Sequence, residues 1–152
     1  MAFQFRLQAV LRVRQSFEKQ EEQKLAAAVG EVTRLRTMLA RTREQLTSTV
    51  RRLSRLLAGG TTGADLHLLH FEQMLVERRQ QALAATLSIA LKKVQEQQSR
   101  LQEARKKRKA LEELREKQLA LFLLTEGRRE QQKLDDAFLL RRFAEESGKG
   151  IA

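Results

Sequence analysis

The chain has 152 residues, with no proline, no cysteine and only seven glycines. The lack of cysteine excludes disulfides and thiolate chemistry, and no run approaches the roughly 20 apolar residues that a membrane span needs. The formal net charge of +11 favours acidic partners, which include nucleic acid, anionic lipid and acidic protein surfaces.

A heptad repeat dominates the first third of the chain. The composition suits it, because 32% of the residues are charged and 5% are aromatic, as is typical of long helices and coiled coils. The repeat predicts a first helix from about residue 3 to about residue 57, with the apolar seam of a two-stranded coil. The predicted seam positions are Leu25, Val32, Leu39, Leu46 and Leu53, with Ala28, Leu35, Thr42, Thr49 and Leu56 three residues after each.

Upstream of this repeat, Phe3, Val10 and Phe17 also recur every seven residues. The steps from Phe17 to Glu21 and from Glu21 to Leu25 are four residues each. This spacing predicts a stutter, which locally relaxes the supercoil.

The only helix-breaking segment is AGGTTGAD, at residues 58–65. Gly59 and Gly60 can end the first helix through a left-handed cap, and either Thr62 or Asp65 can cap the second helix. Because a short loop joins two long helices, we expect an antiparallel hairpin.

The second helix is expected over residues 66–145, with a flexible tail over residues 146–152. Gln97 and Arg108 place polar groups on its seam, and the apolar cluster LALFLL follows at residues 119–124. The apolar seam positions are Leu69, Val76, Leu83, Leu87, Val94 and Leu101, joined by Ala90, Ala104 and Leu111. The sequence therefore predicts a single all-α domain, a long antiparallel two-helix coiled-coil hairpin.

The position of the turn decides which residues of the two helices face each other. With an apex near residue 61 or 62, residue i lies opposite about 123 minus i, because both helices rise equally. Phe3 then meets the LALFLL cluster, and the acidic residues at 18–22 meet the basic run RKKRK at 105–109. Residues beyond about 123 have no partner on the first helix and are expected to overhang.

The basic, apolar N-terminus has other interpretations. Its first acidic residue is Glu18, so it resembles an amphipathic presequence, and its apolar stripe could lie in a membrane surface. We favour the end of the seam, since the LALFLL cluster lies opposite.

No pattern in the sequence predicts a catalytic, cofactor or metal site, and we expect no enzyme. His67 and His70 could share a metal ion across one helical turn, but the only acidic residues at helical spacing are Asp65 and Glu72. We interpret both histidines as polar residues near a helix start. The segment GGTTG lacks the lysine and the preceding strand of a phosphate-binding loop.

The basic run at 105–109 suggests a nucleic-acid-binding coil as one alternative function. Acidic residues interleave the run and no aromatic residue is there to stack bases, so we favour a solvated helix face over nucleic-acid binding. A dimerising scaffold in a four-helix bundle is another alternative, because Met38 and Leu57 widen the apolar stripe beside the seam.

Phe71, Met74 and Leu75 form an apolar cluster just after the turn. Leu69 and Val76 take the neighbouring seam positions, so Phe71 and Met74 lie off the seam. Because methionine suits adaptable contact surfaces, we predict a partner contact there.

Two end motifs carry a resemblance to a known family. The N-terminal motif F-x-F-x-L-x-x-V-L-x-x-R and the C-terminal segment LLTEGRREQQKLDD are similar to the two ends of flagellar FliJ proteins. The length, the hairpin layout and the basic, cysteine-free composition also agree over nearly the whole chain. The N-terminal motif consists of Phe3, Phe5, Leu7, Val10, Leu11 and Arg14. The C-terminal motif consists of Leu123, Leu124, Glu126, Arg128, Gln131, Lys133 and Asp135.

The resemblance implies a cytoplasmic component of the flagellar type III export apparatus, peripheral to the inner membrane at the flagellar base and needed for motility and chemotaxis. Family members form an antiparallel coiled coil similar to the central stalk of rotary ATPases, and injectisome stalk proteins are close analogues. The implied partners are the hexameric export ATPase FliI, its regulator FliH, the export gate FlhA and export chaperones. No small-molecule substrate and no cofactor is implied.

By the same resemblance, the end that carries both termini enters the ATPase pore and the turn points to the gate. Phe71, Met74 and Leu75 are therefore implied to face the gate protein. The residues implied to face the ATPase are Phe3, Leu7 and Leu11, together with the seven residues of the C-terminal motif.

Overall fold

The computed structural model describes residues 2–150, which form two α-helices. Helix α1 spans Gln8–Gly59 and helix α2 spans Gly63–Lys149. The two helices pack against each other, so the chain has the expected all-α fold of an antiparallel two-helix coiled-coil hairpin. The described residues divide into two compact units, one drawn from residues 2–15 and 106–150 and the other from Ser16–Arg105.

Helix α1 begins at Gln8 rather than near residue 3. The main-chain N–H of Gln8 donates to the carbonyl of Phe5 at 3.1 Å, and residues 2–5 are not helical. No Ser, Thr, Asp or Asn precedes Gln8 to cap an earlier start, and Phe5 is buried in its non-helical position. The seven-residue spacing of the apolar side chains therefore overestimated the length of this helix.

Gly60 ends helix α1, since its φ of 80° is the left-handed conformation that glycine adopts without steric cost. Of the two caps that the sequence left open, Thr62 takes the N-cap position of α2. The main-chain N–H of Asp65 donates to Thr62 Oγ1 at 3.3 Å, and the Thr62 hydroxyl donates to Asp65 Oδ2 at 2.7 Å. The non-helical turn is residues 60–62, which is shorter than the expected segment at 58–65.

Helix α2 continues past its expected end near residue 145. Residues 146–149 belong to the helix, where Arg142 pairs with Glu146 at 3.6 Å and Lys149 lies in the last turn. A cation near the carboxyl end of a helix is favourable, because it complements the helix dipole. The expected flexible tail also included residues 151 and 152, which lie outside the described residues.

In the unit drawn from Ser16–Arg105, the predicted seam positions face inward. Each one from Leu25 to Leu56 on α1, and from Leu69 to Leu101 on α2, is buried or half-buried. The core of the unit consists of Val32, Leu35 and Ala90, with Leu83, Leu87 and Val94 packed against it.

The part of the α1 seam before Leu25 differs from the expectation. Val10 and Phe17 are exposed, whereas Glu18 and Glu21 are buried. Since Glu18 and Leu25 are seven residues apart, the heptad continues through polar positions, and the predicted stutter is wrong. The carboxylates tolerate burial because an amide and cations partner them, and apolar spacing alone does not reveal such partners.

Candidate partner-binding surfaces

A polar layer interrupts the seam of the Ser16–Arg105 unit. Gln97 donates through Nε2 to the main-chain carbonyl of Glu21 at 3.2 Å and also to the Glu21 carboxylate. Lys24 Nζ lies 3.2 Å from Glu21 Oε1. The hydrogen bonds from Gln97 and then from Lys24 lower the pKa of Glu21 below its usual value, because they stabilise the charged form. The layer favours this helix register, since sliding would leave this buried carboxylate without its amide.

Arg105 binds two carboxylates of α1. Its Nε lies 3.3 Å from Glu18 Oε1 and its Nη2 lies 3.2 Å from Glu22 Oε1, as the register arithmetic predicts. Further along α2, Arg108 pairs with Glu112 at 2.6 Å. Both arginines of the RKKRK run thus hold acidic side chains, which reduces the charge available to nucleic-acid phosphates.

The turn-proximal surface consists of Phe71, Met74 and Leu75, and all three side chains are exposed. Leu68, which sequence reasoning missed, is exposed as well and extends this surface. The spacing of 68, 71 and 75 was the available signal, because side chains at i, i+3 and i+7 share one helix face. The apolar side chains here are free to contact a partner.

The N-terminal motif residues differ in accessibility. Phe3 packs against Phe122, with ring centroids 5.6 Å apart and ring planes tilted by 52°, as expected from the LALFLL cluster. Leu7 is exposed, whereas Leu11 is only 1% exposed. Leu11 therefore stabilises the packing of its unit and offers no surface to a partner.

The C-terminal segment, defined here as residues 123–149, is helical, and Glu126 is its only side chain that is not exposed. Glu126 pairs with Arg129 at 3.1 Å, one helical turn away, as its spacing predicts. The exposed residues of the C-terminal motif are Leu123, Leu124, Arg128, Gln131, Lys133 and Asp135.

Sequence reasoning missed a second apolar group in this segment, Phe138, Leu139, Leu140 and Phe143. All four are exposed, and a shallow depression beside them is lined by Leu139, Arg142, Phe143 and Glu146. The signal was the run FLLRRF, which was hidden because its apolar positions spread over about 200° of the helix circumference instead of forming one narrow stripe. These exposed apolar side chains form a candidate contact surface for a partner.

An arginine-rich stretch of α1 was also missed. Seven arginines and no lysine occur between residues 34 and 55, and a depression there is lined by Arg43, Glu44, Thr47, Ser48, Arg51, Arg52 and Arg55. Guanidinium groups bind carboxylates and phosphates through paired hydrogen bonds. Arg34 shows this with Glu31, whose Oε1 lies 2.6 Å from its Nη2; the pair raises the pKa of Arg34 and lowers that of Glu31.

His67 and His70 are exposed. Within residues 2–150, no three side chains of the metal-binding types come close enough together to hold an ion. Neither described helix contains a stretch that is apolar and long enough to cross a membrane.

Comparison with known proteins bears on the whole hairpin. The family model described as Flagellar FliJ protein matches residues 3–148 of this chain. No curated protein and no solved structure matches this chain. The matched range covers both end motifs, the turn and nearly all of both helices.

Proposed function

We propose that this chain, which belongs to the FliJ family of flagellar proteins, is a stalk-like adaptor of a flagellar type III export ATPase. Family membership associates the chain with flagellar protein export, in a family of non-catalytic components. In the proposed role, it promotes assembly and activity of the FliI ring, links the ring to the gate protein FlhA, and handles export chaperones. It acts on the cytoplasmic side of the inner membrane, together with the ATPase regulator FliH.

The observation that carries this proposal is the exposed C-terminal segment. Its leucines and phenylalanines surround a helix instead of lying along one stripe, and its charges alternate in sign. Such a helix suits a ring-shaped cavity, because it can make apolar contacts around its circumference. Exposed ion pairs between such a helix and the cavity wall contribute only about 0.2–1 kcal/mol each, so they do not hold the helix in one orientation.

The ATPase part of the proposal is tested by mixing the chain with the cognate export ATPase. We expect the fraction of hexamer and the rate of ATP hydrolysis to rise with added chain. Light scattering measures the first and phosphate release measures the second. If neither quantity changes, the stalk function is wrong.

Truncation after Phe122 locates the activity. We expect the shortened chain to keep the helical signal of the remaining residues but to lose activation of the ATPase. Truncation after Lys149 is the matched control, since it leaves the C-terminal segment intact, and it should activate fully. Full activation by the shorter chain would assign the ATPase contact to another surface.

The gate part of the proposal rests on the turn-proximal surface. We expect Phe71→Asp with Met74→Asp to weaken binding to FlhA in a pull-down, because both substitutions place charge on an exposed apolar contact. Ile89→Asp is a suitable control, as Ile89 and Phe71 are each 57% exposed in the same unit. Unchanged binding by the double variant, or equal loss with the control, would contradict this assignment.

A further inference from the structure

Asp135 has no electrostatic partner in its own helix. The residues three and four positions away from it are Gln131, Gln132, Phe138 and Leu139. None of these is a cation, and within residues 2–150 the Asp135 carboxylate forms no ion pair. Its charge is therefore available to a cation on another molecule.

Arg142 is the first cation that follows Asp135 on the same side of α2; Arg128 lies seven residues before Asp135 on that side, outside the contact described below. Arg142 follows Asp135 by seven residues, which is close to two helical turns, so both side chains lie along one line of the helix. Arg142 has only a loose pair with Glu146 at 3.6 Å, and both members of that pair are about two-thirds exposed. The distance along the axis, about 10 Å, prevents Asp135 and Arg142 from pairing with each other.

Two exposed apolar residues flank this line. At about 100° per residue, Phe138 lies about 50° to one side of the line and Leu139 about 50° to the other. Both side chains are exposed. The result is one helix face with an acid, a base and two apolar flanks.

We propose that this face binds the same face of a second copy of the chain, antiparallel, about a two-fold axis between residues 138 and 139. Residues whose numbers sum to about 277 are then level with each other. Asp135 of each copy meets Arg142 of the other, so the same ion pair forms twice, as in any isologous contact. Phe138 meets its counterpart on one flank, and Leu139 meets its counterpart on the other.

The next position along this face is complementary as well. Gln131 lies level with Glu146 of the second copy, where the amide can donate to the carboxylate. Asp136 and Arg141 point away from the face, more than about 100° from its centre, so they take no part. The charge complementarity between the two copies thus depends on which charged residues lie on this helix face and not merely on the overall composition of the segment.

The contact is short, and this determines its strength. The contact involves about four helical turns of each copy. It therefore buries less surface than stable interfaces do, for which the lower limit is about 1,200 Å². The dimer is therefore weak and concentration-dependent, and opposite charges decide its orientation.

This pairing has a regulatory consequence that rests on the proposed function, whereas the dimer itself does not. Gln131 and Asp135 belong to the motif proposed to face the ATPase. Self-association covers both side chains, so only the monomer presents the complete motif to the ring.

Charge reversal in the full chain tests the pairing by sedimentation equilibrium, without any partner protein. The wild type should show a monomer–dimer equilibrium. D135R should weaken dimerisation about tenfold or more, because two attractions become two repulsions. R142D should do the same. The double variant D135R/R142D should dimerise again, and a mixture of the two single variants should form the heterodimer.

The matched controls are D136R and R141D, which change the net charge equally but lie outside the proposed contact face. Both should dimerise like the wild type, and circular dichroism should show unchanged helicity in every variant. The pairing is wrong if the wild type stays monomeric at high concentration or if the controls weaken it as much as D135R does. It is also wrong if the charge swap restores nothing. A dimer that forms instead beside the seam, through Met38, would be equally stable in all of these variants, and this result would also contradict the pairing.

Discussion

Two parts of helix α2 use similar side chains in opposite ways. Between Leu69 and Ala104 the seam residues are buried or half-buried against α1, whereas Leu134 and Phe138 of the C-terminal segment are exposed. Both parts are helical and both are rich in charge. Burial is thus decided by whether a facing helix exists, and the hydrophobicity of a residue alone does not predict it.

This difference implies different sources of stability. The paired part, defined here as the Ser16–Arg105 unit in which residues of α1 and α2 pack together, gains free energy from burying an apolar stripe, which is the main source of helix stability in proteins. The C-terminal segment has only intrinsic helix propensity and short-range pairs such as Glu126 with Arg129. We therefore expect the C-terminal segment to open locally at a much lower free energy than the paired part.

The largest expected effect comes from truncating the core of the paired part. Leu35 is 3% exposed and Leu134 is 66% exposed. Leu35→Ala should reduce the free energy of unfolding by about 2–5 kcal/mol, toward the lower end because a two-helix core can relax into the gap. Leu134→Ala should change it by less than about 0.5 kcal/mol. Urea denaturation followed by circular dichroism measures both, and equal losses would contradict the division.

The paired part was predictable from the sequence because apolar spacing and packing direction coincide there. The heptad from Leu25 to Leu56 located the α1 seam, and two glycines located the turn. The register arithmetic, which needs only equal rise per residue, also brought Phe3 to the LALFLL cluster within the other unit. Local periodicity contains this information, so no homologous structure was required.

The polar layer was not predictable in the same way. Gln97 and Glu21 differ by several residues from the simple register, because long side chains reach along the helix axis and not only across it. Spacing also cannot show that a carboxylate will be buried with an amide partner. For the same reason, the self-complementary face around Asp135 becomes visible only when the exposure of each side chain is known.

The second expected effect tests this polar layer. Gln97→Leu should destabilise the paired part, though less than Leu35→Ala, because it removes the amide that donates to the buried Glu21 carboxylate. Adding Glu21→Leu should restore much of the loss, since an apolar pair leaves no unsatisfied charge. Thermal unfolding measures both variants. A double variant less stable than the single one would show that the layer contributes more than hydrogen bonding.

The same layer predicts a pH dependence. The pKa of Glu21 is lowered in the folded chain by Gln97 and then by Lys24, so its contribution to stability is present above the unfolded-state value of about 4.3. It is lost as the pH falls through the lowered folded-state pKa, because the folded state then takes up the proton as well. Gln97→Leu should make this acid-induced loss shallower in thermal unfolding. An equally steep loss of stability in this variant would mean that other carboxylates determine the pH dependence.

The smallest expected effects come from the same substitution, glycine to alanine, made once in the paired part and once in the C-terminal segment. Gly30 in α1 and Gly127 in α2 are both helical and exposed, and an added Cβ would meet nothing within 4 Å at either position. Alanine should therefore stabilise each local helix by about 0.5–1 kcal/mol. Gly30→Ala lies in the paired part, so the gain should appear in the global free energy of unfolding.

Gly127→Ala should instead leave the global transition where it is, because the C-terminal segment opens before the paired part unfolds. Its gain should appear as amide hydrogen exchange that is about two- to fivefold slower around residue 127, and as more helical signal on mild heating. Equal global shifts from the two substitutions would show that the C-terminal segment unfolds together with the paired part. A single cooperative unit would then replace the two sources of stability inferred from burial.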